Sequence, residues 1–379
     1  GEAGRNGEVL ITSKNGSAEN INKKMEITVD QSLFATEIAS LPDDQDAYGN
    51  GFHNLASGAF SNWGAPFDQP GRNGVAADGT IAHPYSRSGL ADVFPQYQGA
   101  RYDYRAYDNL QNFFDPGVIA NTSVNIASRL SDGTSLNVSY GFRDEEGFVK
   151  TSDFRKHNFG LGLSNKLSNG LRINSTFNYV TSDRTAPPTG ISTSSNPSAG
   201  STSLFANVFY TPRSIDLAGL EYEIPGTGES IYYRSGNDIE HPFWTLNNAR
   251  EEEQIGRFFG NVNLSYDLTD WLNVSYRVGL DVYEQQQQEL LNKGGRNEPI
   301  GWMNTTQRRN TITDHLFNLT YDYNLSDLFN LSGNVGFNMR RDTREFTRAN
   351  SEQQFVYGLF QHDNFIQHQN FTTDRKSVV

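Results

Sequence analysis

The 379-residue chain has no cysteine, which excludes disulfide frameworks and cysteine-ligated metals. It also lacks any run of about eighteen apolar residues, the least a membrane helix requires. A helical membrane protein is therefore excluded. The opening GEAGRNGEVL has no initial Met, no basic start and no apolar core, so it is not a signal peptide. Either the protein is cytoplasmic or its beginning is missing. Positive charge is scarce as well: 31 Lys and Arg stand against 44 Asp and Glu, for a net charge of -13. Nucleic acid is not expected as a partner, because phosphate binding calls for clustered cations. Hydrophobic residues reach only 36%, and the mean hydropathy is -0.62. Disorder does not follow, since unfolded chains are poor in aromatics and this one contains 25 Phe and 18 Tyr.

What is present is an apolar comb of period two. In GNVNLSYDLTDWLNVSYRVGLDVY (260–283), Val262, Leu264 and Tyr266 alternate with Asn263, Ser265 and Asp267. Beyond DLTDW the comb resumes at Leu272, Val274, Tyr276, Val278, Leu280 and Val282. Successive strand side chains point to opposite faces, so two such runs joined by a short connection predict a β-hairpin. Three more follow the same rule. One pairs VIANTSVNIASRL with TSLNVSYGF across SDG, and another pairs HNFGLGLSNKL with LRINSTFNYV across LSNG. The last pairs HLFNLTYDYN with FNLSGNVGFNM across NLSDL, and KMEITVDQSLF (24–34) precedes them all as a lone strand.

Short connections alternate with long ones, roughly 34–116, 143–156, 182–254, 284–310 and 341 onward. In an up-and-down sheet this alternation gathers every long loop on one rim. Loops beyond about fifteen residues are uncommon in compact soluble domains. With a polar face of Asn, Ser, Gly, Asp and Arg, and with Tyr266, Trp271, Tyr323 and Phe329 near the short turns, the pattern describes an outer-membrane β-barrel. The expected fold is all-β: a partial transmembrane antiparallel barrel of about nine strands, long-looped near 34–116 and 182–254. Bacterial barrels normally close with an even number of strands, and a bilayer tolerates no open edge, so a fragment of a larger barrel is expected. A soluble all-β binding protein, secreted or on the cell surface, also alternates and stands as the other reading; a passive porin is a third.

Several collinear stretches resemble the SusC-like branch of the TonB-dependent outer-membrane transporters of Bacteroidetes. GEAGRNGEVLITSKNG (1–16) is similar to the end of that family's plug domain, and SNWGAPFD (61–68) to its SWGPKLDG element. DNLQNFFDPGVIANTSVNIAS (108–128) and SYGFRDEEGFVKTSDFRKHNFGLGLS (139–164) follow. VFYTPRSIDLAG, HPFWTLNNAR and RFFGNVNLSYDLTDWLNVSYRVGLDVY fall in family order after them. Glu2 and Glu8 depart from the smaller or apolar residues that the family favours. The resemblance implies a plugged barrel of 22 strands in the outer membrane, with residues 1–16 ending the plug and 17–379 beginning the barrel. It further implies import of oligosaccharides or oligopeptides, a SusD-like surface lipoprotein as partner, and drive from the TonB complex through a segment upstream of this chain.

No catalytic constellation is evident, and the expected activity is transport rather than an enzyme reaction. No cofactor is expected. The acidic triplets Asp144–Glu146 and Glu251–Glu253 read as solvated loop bases. DDQDAYGNG (43–51) has a calcium-loop flavour in Asp44 and Asp46, but Leu55 stands where the closing carboxylate is needed. The seven His form no zinc motif. Sugar rings stack on aromatic faces and bond to amides, so Trp63, Trp244, His53 and Asn54 are the candidate ligand contacts, with loop packing as the plainer alternative. LFANVFYTPRSIDL (204–217) predicts a short helix before Pro212 that packs loops together, and the glutamines at 285–288 predict a strand rising above the membrane.

Overall fold

The computed structural model describes residues 24–187, 204–234, 239–296 and 298–378. The proposed plug end at 1–16 lies outside them. The lone strand β1 (Met25–Thr36) comes first, followed by two small ribbons in the long connection, β2 (Gly51–Phe52) with β3 (Leu55–Ala56) and β4 (Thr80–Ala82) with β5 (Arg101–Asp103). The four expected hairpins then appear in order. They are β6 (Gly117–Ser131) with β7 (Thr134–Glu146), β8 (Asp153–Lys166) with β9 (Arg172–Ala186), β10 (Ala249–Thr269) with β11 (Leu272–Leu291), and β12 (Trp302–Ser326) with β13 (Phe329–Gln354). A tenth large strand, β14 (Phe365–Val378), closes the series, one more than the nine expected. It pairs only with the upper half of β13, from Arg341 to Gln354, and beyond Phe365, Ile366 and Phe371 its residues are polar on both sides, so it shows no apolar alternation.

These ten strands form one antiparallel sheet in the order β1-β6-β7-β8-β9-β10-β11-β12-β13-β14, with β1 and β14 as its open edges. Registers carry the comb from strand to strand. One row runs through Ile27, Ile126, Val138, Leu161 and Phe177. Continued straight across the ladder, the same row meets Gly260, Leu280, Thr313 and Arg341. On the later strands the apolar row lies nearer the short turns, through Leu264, Tyr276, Phe317 and Phe337. An apolar band that drifts along the ladder in this way is what strands inclined to a membrane plane require.

The comb is not a core. Phe337 is 66% exposed, Ile27 55% and Phe317 43%, and no comb residue of the hairpins is buried. The buried apolar cluster lies instead in the long connections. Tyr85, Phe94, Leu110 and Phe113 pack there with Leu204, Val208, Ile215, Leu217, Ile231 and Leu246. Three short helices serve this cluster: α1 (Asn109–Phe113), α2 (Leu204–Phe209) and α3 (Pro242–Asn248). Helix α2 is the one expected ahead of Pro212, and its Leu204 and Val208 are buried. In α3, Pro242 occupies the first turn, where its missing N–H costs nothing, and the His241 Nδ1 accepts from the Phe243 N–H at 3.2 Å.

Strand β1 ends at Thr36 and β6 begins at Gly117, and β9 ends at Ala186 and β10 begins at Ala249, whereas the connections at 143–156 and 284–310 are shorter than expected. Strands β7 and β8 reach inward to leave only residues 147–152 between them, and β11 and β12 leave only 292–301. The glutamine run 285–288 belongs to β11, as expected. The acidic triplets likewise lie in strands rather than at loop bases. Asp144 pairs with Arg155 at 3.3 Å across the ladder, and Glu252 pairs with Arg250 at 2.6 Å.

Candidate functional site

Opposite the comb, the sheet presents a polar face built by the same alternation. Arg257 bonds Asp281 in a two-pronged pair, at 2.9 and 2.6 Å, and Arg277 faces Asp314 at 3.6 Å. Asn137 donates to Asn125 at 3.0 Å, and Asn261 donates to Thr176 at 3.0 Å. Near the short turns Arg172 grips both oxygens of Asp267, each at 2.8 Å, while Asn273 donates to the same carboxylate at 2.7 Å. Each of these three arginines has a carboxylate opposite it on a neighbouring strand, so their charges are balanced on a wettable face. Such a surface suits a water-lined passage and is unsuited to contact with hydrocarbon.

At the far ends of the strands the connections fold over one another. Arg213, nearly buried, ties three of their segments together. Its guanidinium donates to the carboxylates of Asp46 and Asp108 and to the Tyr107 carbonyl, and Asp44 lies 3.6 Å away. Burial works against the guanidinium's charge, yet the bonds to Asp46 and Asp108 outweigh it and raise its pKa. The two aspartates that gave residues 43–51 their calcium-loop flavour are thus turned toward a cation of the protein itself. Nearby, Tyr85 donates to the Glu221 carbonyl and Tyr97 to the Glu221 carboxylate, both at 2.6 Å. His241 is fully buried with no partner on Nε2 among the described residues, and burial pushes its pKa down to about 3. Glu240 accepts from the Arg296 N–H at 2.7 Å, and burial raises its pKa.

Three of the four expected ligand contacts come together. His53 and Asn54 are the two central residues of the turn between β2 and β3, with φ of 55° and 58°. Two consecutive left-handed residues make the turn whose twist matches a two-residue hairpin, and Asn is the non-glycine residue that tolerates it best. The Asn54 N–H donates to the Trp63 carbonyl at 3.0 Å, so the ribbon and Trp63 form one tip. A side chain at Gly64 would collide with the Asn50 carbonyl, so the segment after Trp63 docks only as glycine. Trp63 is 75% exposed, and its face is open to a ligand. Trp244 is not. It is 0% exposed in α3, donates from Nε1 to the Gly228 carbonyl at 2.8 Å and packs against Leu291 and Ala249. Its position makes it a packing residue, the plainer alternative of the two.

Behind this tip lies a cavity of about 760 Å³ that sequence reasoning did not single out. Phe52, Phe60, Ile81, Pro84, Arg87 and Arg234 line it. Arg234 stacks over the Phe60 ring at 5.2 Å. Residues from three distant segments meet here, and no local motif marks any of them.

No protein-family model matches the chain, and no curated protein does. Solved structures do. The RagAB peptide importer in its closed-closed state superposes with a TM-score of 0.61 at 12% identity, over 94% of this chain and 40% of that one. The open-open state of the same importer gives 0.62 at 13% identity, over 94% and 39%. A further structure, of the RagAB peptide transporter, gives 0.61 at 13% identity, over 94% and 40%. The chain spans about two fifths of the length of these structures. The likeness establishes the fold: an open stretch of transporter-type antiparallel barrel, with its long connections gathered at one rim.

Proposed function

We propose that this chain is part of a TonB-dependent importer that carries an oligomeric nutrient, an oligosaccharide or an oligopeptide, across the outer membrane. The observation that carries the reading is the inverted sheet: the apolar comb lies outward and exposed while the paired polar face lies opposite it. Fold likeness to a peptide importer supports the same reading. In this proposal the comb contacts lipid and the polar face lines a passage that a plug, ending at residues 1–16, occupies. The long connections near 34–116 and 182–254 capture the ligand outside the cell together with a SusD-like lipoprotein, and the Trp63, His53 and Asn54 tip contacts it. Chemistry on the ligand is not required; binding, release and the energy of the TonB complex suffice.

The test is fractionation followed by uptake. The full-length protein is expected in the outer-membrane fraction, extracted only by detergent, and cells carrying it accumulate labelled oligomers only while TonB is functional. Release into buffer without detergent, or uptake that persists without TonB, would overturn the proposal.

A further inference from the structure

Among the described residues Arg87 is a cation without an anion. Its guanidinium is half-buried and donates only to two main-chain carbonyls, those of Tyr233 at 3.3 Å and Tyr232 at 3.2 Å. It also lies 5.9 Å over the Tyr85 ring. Among the described residues no carboxylate lies within ion-pair distance of it, in a chain where carboxylates outnumber cations by 44 to 31. Burial and the neighbouring charge of Arg296 both press its pKa downward, and the Tyr85 phenol offsets them only in part. Burying a charge without a partner is costly, so a group of opposite charge entering beside it is favoured.

The space beside it is the cavity behind the Trp63 tip. Its lining contains no Asp or Glu among the described residues, and Phe52, Phe60, Ile81, Pro84 and Ile215 give it apolar walls. Its one amide, Asn50, is already engaged: Nδ2 donates to the Ser57 carbonyl and Oδ1 accepts from the Ser214 hydroxyl at 2.7 Å. A sugar ring entering here would find few acceptors for its hydroxyls. An apolar side chain carrying a carboxylate would find both partners that it needs.

We propose that this cavity takes the C-terminal residue of an oligopeptide, with Arg87 bonding the free carboxylate and the Phe52, Phe60 and Ile81 walls holding an apolar last side chain. This deepens the importer proposal and rests on it. The planar guanidinium can present two parallel N–H groups to a carboxylate, which a neutral terminal amide cannot match.

The probe pair is an N-acetylated tetrapeptide ending in Phe and the same peptide with a C-terminal amide, titrated into the full-length transporter in detergent by calorimetry. A charged hydrogen-bond pair is worth enough that amidation should weaken binding by about tenfold or more. Arg87→Gln should bring the acid form to the level of the amide and change amide binding by no more than about twofold, on the same reasoning. Arg87→Lys should recover part of the preference. If Arg87→Gln does not fold, the acid and amide comparison on the unaltered protein still decides. Equal affinity for acid and amide, a preference that survives Arg87→Gln, or binding of tri-galacturonate in place of either peptide would each overturn the inference. Uptake of labelled peptides without regard to the terminal carboxylate would overturn it while leaving the importer reading intact; absence of any TonB-dependent uptake would overturn that reading itself.

Discussion

Arg213 lies against Asp46, 167 positions away in the chain, donating from Nε at 3.0 Å and from a second nitrogen to the same oxygen. One nearly buried guanidinium thereby joins the first long connection to the second. Replacing it with Met should leave the β-sheet intact and loosen the loops, at a cost of about 1–3 kcal/mol for the charged bonds lost. Limited proteolysis checks this: cleavage should appear within loops 37–116 and 204–248 while the strand region stays protected. Loops that resist protease as well as the unaltered protein would show that the pair does not hold them.

Adjacent residues on one strand should answer oppositely to the same change. Phe317 lies on the comb, and Asn318 on the polar face beside it. Arginine at position 317 should destabilise the protein by about 2–4 kcal/mol in bilayers, and arginine at 318 by close to zero. Urea unfolding in liposomes measures both. Equal costs would mean that neither face touches hydrocarbon.

The four tryptophans should divide by solvent access. Trp63 should be quenched readily by acrylamide and Trp244 hardly at all. Trp63→Ala should leave stability unchanged and weaken ligand binding, whereas Trp244→Ala should cost about 3–5 kcal/mol, as large-to-small changes in packed cores do. Single-tryptophan variants give the quenching, and thermal unfolding gives the stability.

Acid should loosen the loop assembly through His241. Its folded pKa of about 3 lies below the unfolded value, so between those limits the unfolded state binds more protons. Stability is therefore full above about pH 6.5 and falls as pH drops toward 3, by up to about 1.4 kcal/mol per unit. Glu240, whose pKa is raised, acts with the opposite sign and is lost as pH rises through its folded value. Comparing the unaltered protein with His241→Phe cancels Glu240 and isolates the histidine. The variant should show a flatter acid limb in unfolding followed by Trp244 fluorescence; parallel curves would refute the assignment.

The hairpins were legible because a half-wet strand writes its two faces into neighbouring residues. Leu264 beside Asn263 and Ser265 is enough to fix both. Toward the rim of long connections that contrast vanishes, and so Asp144, Glu252 and most of β14 read as loop. Backbone pairing with the strand alongside continues regardless of side-chain chemistry. The cavity was illegible for another reason. Arg87 meets Tyr232 and Tyr233 only through folding, and neither short stretch carries a period or motif that announces the meeting.

The strands differ in length around the sheet. Strand β7 has 13 residues and β13 has 26, which at the rise of a strand is a difference of roughly 40 Å along the chain direction. The rim is accordingly lopsided, with a tall parapet of bare ladder on one flank and a roof of folded loops above the low flank.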